Sequence, residues 1–375
     1  MDVRVEPKAL LNELGLSLSI VESKATIPIL ANLLLKAEGT TLEIAATDLE
    51  VTLRTRCSAE VLSPGGVTVA AKKFVPMVRG FQGIDTPLSL KATPDQKLFL
   101  QPVGGKEEYH LHTLPEEDYP SLMERAGEAE VKLEIASFRR AVSEILISVG
   151  QEDTRYSVRG AQILLDKDRV TLVSTDSHRL TLSAYPADTK LEDPVRALIP
   201  RKTLVELMKL EEQGEIGFTI QDNHVFLECG HRVLYSRLMD STFPAYERVI
   251  PSDTDKAAVV ERIGFLEKLR RVSTVTHLKT KMVTLSFDPA GTVEILARNP
   301  ETGDEGKEYL PCEQYEGEKI LAAFNVDYLL DFLSVADTEK VVLKMKGPDS
   351  QVLLEPMRED SEAVLSYVIM PLRLD

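Results

Sequence analysis

Apolar residues recur along the chain in two alternating patterns. Phe138, Val142, Ile145, Leu146 and Val149 fall on one face of a helix, while Arg139, Arg140 and Ser143 point away from it. Leu10, Leu11, Leu14 and Leu18 make a similar stripe earlier, and Phe265, Leu269 and Val272 make one later. Period-two stretches follow: Leu42 and Ile44, then Leu49, Val51 and Leu53; Val170 and Leu172, then Leu180, Leu182 and Ala184. A second helix is predicted after Lys72-Lys73, after Arg201-Lys202 and after Asn325, with Val326, Leu329, Leu330 and Leu333 as its clearest stripe. Two further strands end each unit, as in Val225-Phe226-Leu227 and Val233-Leu234-Tyr235 joined through Gly230. The predicted fold class is α+β, with two helices per unit packed on one face of a largely antiparallel sheet.

These units repeat. Ala46-Thr47-Asp48 returns as Ser174-Thr175-Asp176, with a fainter echo at Ala297-Arg298-Asn299. Val69-Ala70-Ala71-Lys72-Lys73-Phe74 matches Leu198-Ile199-Pro200-Arg201-Lys202-Thr203, and the endings Tyr119-Pro120, Phe243-Pro244 and Met370-Pro371 keep the same beat. The interval is close to one third of the 375 residues. A unit that long is a domain duplicated in tandem, since solenoid repeats run to about 20–50 residues. Three similar domains are therefore predicted, at 1–126, 127–252 and 253–375, with polar linkers at 125–130 and 252–256.

Composition narrows the function. A net charge of −16 argues against coating nucleic acid by bulk attraction. Cys57, Cys229 and Cys312 lie too far apart to suggest a disulfide framework, which fits a reducing cytoplasm. The start, Met1-Asp2-Val3-Arg4-Val5-Glu6, lacks a signal peptide's apolar core, and the apolar run 27–35 is too short to span a bilayer. No membrane partner is expected. Asp176, Ser177 and His178 are consecutive, so they cannot converge as orienter, nucleophile and base. His110-x-His112 and Cys229-x-His231 lack a second pair for a metal, and no phosphate-binding loop is present. Asp48 and Asp176 read instead as residues that bond the backbone at strand-to-strand corners. The expectation is a protein without catalytic residues, cofactor or metal.

The motifs at 26–35, Thr175-Asp176-Ser177-His178-Arg179-Leu180, 243–251 and 367–374 occur in order across the whole chain. Together they resemble the bacterial DNA polymerase III beta subunit family, the replicative sliding clamps. The resemblance implies a head-to-tail homodimer whose six domains encircle double-stranded DNA without regard to sequence. It also implies partners: the polymerase III catalytic subunit, a clamp-loader ATPase, and repair polymerases, ligase and mismatch-repair proteins bearing clamp-binding motifs. Ring geometry agrees. Two helices per domain at about 10 Å spacing give six domains a circumference of roughly 120 Å. Subtracting a helix radius of about 5 Å leaves a bore of roughly 28 Å. A duplex about 20 Å across passes through it, whereas three domains would leave only about 9 Å. A peptide-binding scaffold that does not encircle DNA is the alternative.

By the same resemblance, Lys24, Lys72, Lys73, Arg79, Arg139, Arg140, Tyr156, Arg201 and Lys202 face DNA. Lys8, Arg262, Lys268, Arg270 and Arg271 lie on the same set of helices. From charge patterning alone these are equally ordinary solvated faces, since Glu13, Glu144, Glu206 and Glu267 share the segments. Ser157 stands where clamps often carry a second aromatic. A partner-peptide pocket is implied at Val158, Thr175, His178, Arg179, Leu180, Pro244, Arg248, Val249, Val368, Met370, Pro371, Leu372 and Arg373. Its apolar residues suit an adaptable cup, though 367–370 equally reads as a last core strand. The subunit interface would set Lys73, Lys106, Tyr109 and Leu111 against Thr274, Val275, Glu301, Asp304 and Glu305. Glu108 departs from the basic residues expected there, and Asp375 adds a charge beyond Leu374.

Overall fold

The computed structural model describes residues 1–21, 27–127, 129–151, 155–210, 213–358 and 362–374. Six α-helices are present among them: α1 Pro7–Leu18, α2 Ala71–Arg79, α3 Ile135–Leu146, α4 Arg201–Leu207, α5 Arg262–Ser273 and α6 Val326–Val335. Two per repeat is the predicted number. The strands form two twelve-stranded sheets, and every pairing is antiparallel. By contact density the chain makes two compact units, Met1–Ala136 with Lys202–Leu238 and Ser137–Arg201 with Met239–Asp375. Each sheet belongs wholly to one unit, so the sheets run across the repeat limits.

The crossing points follow one plan. In the first unit, Arg232–Arg237 from the second repeat lies along Val51–Ser63 from the first, with Val233 opposite Arg54 and Ser236 opposite Val51. In the second unit, Val364–Ile369 lies along Arg179–Pro186, with Ser366 opposite Leu182 and Ile369 opposite Arg179. A corner precedes each receiving strand. Asp48 Oδ1 accepts the Glu50 and Val51 amides at 2.9 and 2.7 Å, while Leu49 sits at φ 77°. Asp176 Oδ1 accepts the His178 and Arg179 amides at 2.9 and 3.0 Å, with Ser177 at φ 80°. Both aspartates therefore hold the turns expected of them. Leu49, predicted as a strand residue, is instead an exposed turn residue, because the carboxylate takes the amides of the two residues after it.

The helix stripes differ from the predicted ones in an informative way. On α1 the buried residues are Pro7, Leu10, Glu13, Leu14 and Ser17, leaving Leu11 and Leu18 half-buried. On α3 Glu144 is buried and Leu146 is not; on α6 Phe332 is buried and Leu330 is not. The buried carboxylates explain the first two shifts. Glu13 takes a two-pronged pair from Arg232 at 2.9 and 2.8 Å and a 2.5 Å bond from Thr55 Oγ1. Glu144 takes a 2.5 Å bond from Ser183 Oγ, and Arg358 Nη2 stands 3.5 Å away while also pairing with Asp337 at 2.7 Å. Thr55 lies opposite Ile44 and Ser183 opposite Leu172, each four residues before its turn aspartate, so the two hydroxyls are equivalent. In both cases the first helix of one repeat buries a glutamate, and the last hairpin of the next repeat brings an arginine to it.

The two glutamates are not equally well served. Burial alone would raise the Glu13 pKa, but the bonds from Arg232 and Thr55 outweigh it and hold it below 4.5. Burial dominates at Glu144 and raises it, with Ser183 and Arg358 offsetting only part. Glu13 therefore adds stability that is present above its unfolded pKa and is lost as pH falls through the folded value. Glu144 has the opposite sign: its ionisation costs stability as pH rises from the unfolded to the folded pKa. Glu13→Ala is expected to cost about 3 kcal/mol at pH 7, because it removes the carboxylate from a largely buried, two-pronged ion pair with Arg232. Glu144→Gln should cost much less. Urea unfolding monitored at both pH 7 and pH 4 checks this, with the Glu13→Ala penalty shrinking at the lower pH.

Candidate peptide pocket, basic faces and open strand edges

Within the second unit, the Asp176 corner, the strand end at Val368 and the segment after Phe243 enclose a pocket of about 160 Å³. Thr175, His178, Arg179, Leu180, Pro244, Val249, Val368 and Met370 line it, as the sequence resemblance implied. Its floor is a small apolar cluster of Val173, Leu180, Leu198, Met239, Phe243 and Val368, with Tyr246 and Val249 packed against it. Two larger grooves in the first unit, of about 370 and 860 Å³, are lined about half by charged residues such as Glu43, Arg54 and Arg56. An apolar cup edged by a few polar groups suits a peptide side chain better.

Not every expected residue is there. Val158 is buried in the turn Tyr156–Val158, while Arg248 and Arg373 are exposed away from the cup. Pro371 and Leu372 lie beyond the strand, and the Leu372 amide bonds the Ala323 carbonyl at 2.7 Å. The pocket gains Arg155, Ser177 and Tyr246 instead. Tyr246 and Ser177 stand inside motifs already singled out; Arg155 carries no signal beyond its place beside Tyr156.

Arg179 fixes the polar edge. Its Nε bonds Asp176 at 3.0 Å, its Nη1 reaches Asp331 at 2.5 Å and the Tyr367 hydroxyl at 3.3 Å, and its guanidinium lies 4.3 Å from the Tyr328 ring centre. Burial works against its charge, yet Tyr367, Asp331 and Asp176 raise its pKa overall. Arg179 is thus a clamped part of the wall, held in one rotamer by four neighbours, and leaves the exposed Arg155, Ser177 and His178 as the adjustable polar groups.

Among the basic residues, Lys72, Lys73 and Arg79 are exposed on α2, opposite its buried Ala71, Phe74, Val75 and Val78. Arg140 is exposed 4.0 Å from Asp337, Arg139 and Arg201 are half-buried, and Tyr156 is exposed. Lys202 pairs with Asp48 of the turn. Arg262 proves structural, since it donates to the Thr338 and Leu333 carbonyls at 2.7 and 2.9 Å and so caps the end of α6. Lys268 and Arg271 both engage Glu308, at 3.5 and 2.6 Å. Lys24 and Asp375 lie outside the described residues. No group of three His, Cys, Asp or Glu placed to hold a metal occurs among those described, and none of the helices is long and apolar enough to cross a membrane.

Among the described residues, two strands at matching places in the first and third repeats are unpaired along part of one side. Glu305–Glu316 pairs with Thr292–Arg298 along its first half and with Lys256–Glu261 only along its second. Tyr109–Leu114 pairs with Lys97–Pro102, and with Gly65–Ala70 only at Thr113 and Leu114. Lys106, Tyr109, Thr274, Glu301, Asp304 and Glu305 are exposed near these edges and Val275 is half-buried. Leu111 is the correction here: it is 6% exposed and packs inward, so only its backbone is available at the edge.

The description of the DNA polymerase III beta subunit matches the chain in three consecutive parts: its N-terminal domain at residues 1–123, its central domain at 132–245 and its C-terminal domain at 247–373. The beta sliding clamp of Pseudomonas putida is 34% identical over the full length of both chains, and that of Pseudomonas aeruginosa 32% identical. The crystal structure of the DNA polymerase III subunit beta from Pseudomonas aeruginosa, 32% identical, superposes over all of both chains with a TM-score of 0.91. A Bacillus subtilis sliding clamp at 22% identity shares the fold, with a TM-score of 0.93. With three tandem domains matched in order and end to end, the chain belongs to the DNA polymerase III beta subunit family, the beta sliding clamps.

Proposed function

We propose that two copies of this chain join head to tail into a ring around duplex DNA and tether the replicative polymerase to its template. It is a processivity factor with no catalytic activity of its own. The observation that carries the head-to-tail reading is the pair of open edges. Val51–Ser63 and Arg179–Pro186 each receive a strand from the following repeat, whereas the matching strand Glu305–Glu316 receives none. Tyr109–Leu114 is the matching donor in the first repeat, and it has no receiving strand along Tyr109–His112. Exposed edges of this kind are templates on which a strand of another chain can pair. One edge of each sort per copy closes two junctions in a dimer, and with them a six-domain ring.

A ring held by topology needs only weak phosphate contacts that let it slide. The exposed cations of α2 suit that role. The pocket beside Arg179 would seat an apolar anchor from a short peptide of the polymerase, the clamp loader or a repair protein, each displacing another at one site. A bacterial cytoplasmic location, at the nucleoid, goes with this reading.

Sedimentation of the purified chain should give twice the monomer mass. After loading by a clamp-loader ATPase it should remain on circular DNA and leave once the circle is cut; equal retention on linear DNA would support the scaffold alternative. Lys72→Glu with Arg79→Glu should reduce retention on circles by about tenfold or more at moderate salt, through lost phosphate contacts, while peptide binding is unchanged. Met370→Glu, which sets a charge in the apolar cup, should weaken binding of a clamp-binding peptide by about tenfold or more. Its dimer mass and DNA retention should match the parent's.

A further inference from the structure

The two junctions inside the chain share an electrostatic plan, and the third repeat inverts it. Glu13 on α1 and Glu144 on α3 each bond a hydroxyl at one strand position, Thr55 or Ser183, and each meets an arginine from the next repeat's hairpin. In the third repeat that strand position is Glu308, opposite Ile295 and so again four residues before the turn residue Asn299. Counted from the first residue of each helix, Lys268 on α5 stands where Glu13 stands, and Arg271 where Glu144 stands. Both cations bond Glu308. The seventh helix position is acidic in repeat one and the tenth in repeat two, and both are basic in repeat three.

The hairpin that would arrive there inverts as well. Val5 faces Leu88, Leu90 faces Leu100, and Leu100 faces Tyr109. The second repeat matches this with Leu133 facing Ile216, and with Leu227 facing both Phe218 and Leu234. Tyr109 thus holds the place of Leu234, and Glu107, two residues earlier, holds the place of Arg232. Glu107 is exposed in the loop before the strand, where its carboxylate accepts the Lys106 amide at 3.1 Å.

We infer that the acidic hairpin of one copy, through Glu107, docks onto Lys268 and Arg271 of a second copy, forming a charge-reversed version of the junctions at Arg232 and Arg358. This rests on the head-to-tail dimer proposed above. Carrying over the register of Arg232–Arg237 on Val51–Ser63 sets Glu108 opposite Lys307, Tyr109 opposite Gly306 and His110 opposite Glu305. The first two pairs are complementary. Opposite charges meet at Glu108 and Lys307, and the exposed Tyr109 ring arrives at Gly306 beside the half-buried, apolar Val275 that fills the space a side chain there would take. The departure at Glu108 therefore finds its cation in Lys307. Inversion also sorts the junctions: an acidic hairpin is repelled by the Glu13 and Glu144 seats, so the first repeat's hairpin does not compete for junctions made within a chain.

The dimer dissociation constant, measured by sedimentation at several protein concentrations in the full chain, tests this. Glu107→Arg should raise it by about tenfold or more, the range found for close charge pairs across interfaces. Arg271→Glu should do the same, and the two substitutions in one chain should restore most of the affinity. Far-UV circular dichroism and thermal unfolding confirm that each variant folds; Glu107→Arg, in an exposed loop, carries the result if Arg271→Glu does not fold. A parent chain that dimerises while Glu107→Arg leaves its affinity unchanged overturns the charge-reversed junction and spares the dimer. A parent that is monomeric at every concentration overturns both.

Discussion

A carboxylate buried on a helix, together with the arginine that the next repeat supplies to it, is the constraint around which the repeats are joined. Glu13 and Glu144 have side chains 6% and 3% exposed. A charge so placed is costly unless paired and fully hydrogen-bonded, so each first helix demands the following hairpin in one register. The strand pairing beside it supplies backbone bonds but little selectivity, because any edge can pair with any other. The buried pair selects which edge. Its net contribution to stability is modest at Glu144, where burial already opposes the charge, and this is the behaviour expected of a group that specifies an arrangement more than it strengthens one.

Sheet continuity gives the pocket its position. The strand Val364–Ile369 reaches the Asp176 corner because it is seated along Arg179–Pro186, which brings Val368 and Met370 beside Leu180. Arg179 then ties the corner to Asp331 and Tyr367 from the third repeat. The apolar cup is therefore a by-product of the same junction that joins the repeats. In the first unit the comparable cluster of Ile29, Leu30, Leu34, Ala45 and Tyr119 lies beside a wide groove edged by Lys36, Glu38, Glu43 and Arg54. That charged rim would compete poorly for an apolar peptide anchor.

Much of this was legible in the sequence and some was not, for identifiable reasons. The tandem repeat, the helices and the two turn aspartates could be read because period and turn chemistry are local properties. Most of the pocket followed from motifs near Asp176, Pro244 and the terminal strand. The buried faces of α1 and α3 could not be read, since an apolar count treats Glu13 and Glu144 as solvent-facing. Only pairing with residues over two hundred positions away, Arg232 and Arg358, makes those sites habitable. Lys268, Arg271 and Arg262 were grouped with the DNA-facing cations for the converse reason: sign and exposure look alike whether the partner is a phosphate, Glu308 or a helix-end carbonyl. Leu111 was misplaced because an edge strand offers its backbone outward while alternate side chains point inward.

Net charge and local charge then have separate consequences. With 60 acidic and 44 basic residues, two copies repel at long range, and an acidic ring repels DNA as well. Screening limits that repulsion to about 8 Å at physiological salt, so contacts are governed by the few side chains that meet. Cations on the outer face of α2 can offer phosphates a shallow attraction. The cations of α5 are held by Glu308 beside an unpaired strand, where a phosphate would have to displace an existing ion pair but an incoming acidic hairpin could join it. On the proposed reading, lysines and arginines on one set of helices are divided by their neighbours into those that would let DNA slide and those that would hold protein to protein.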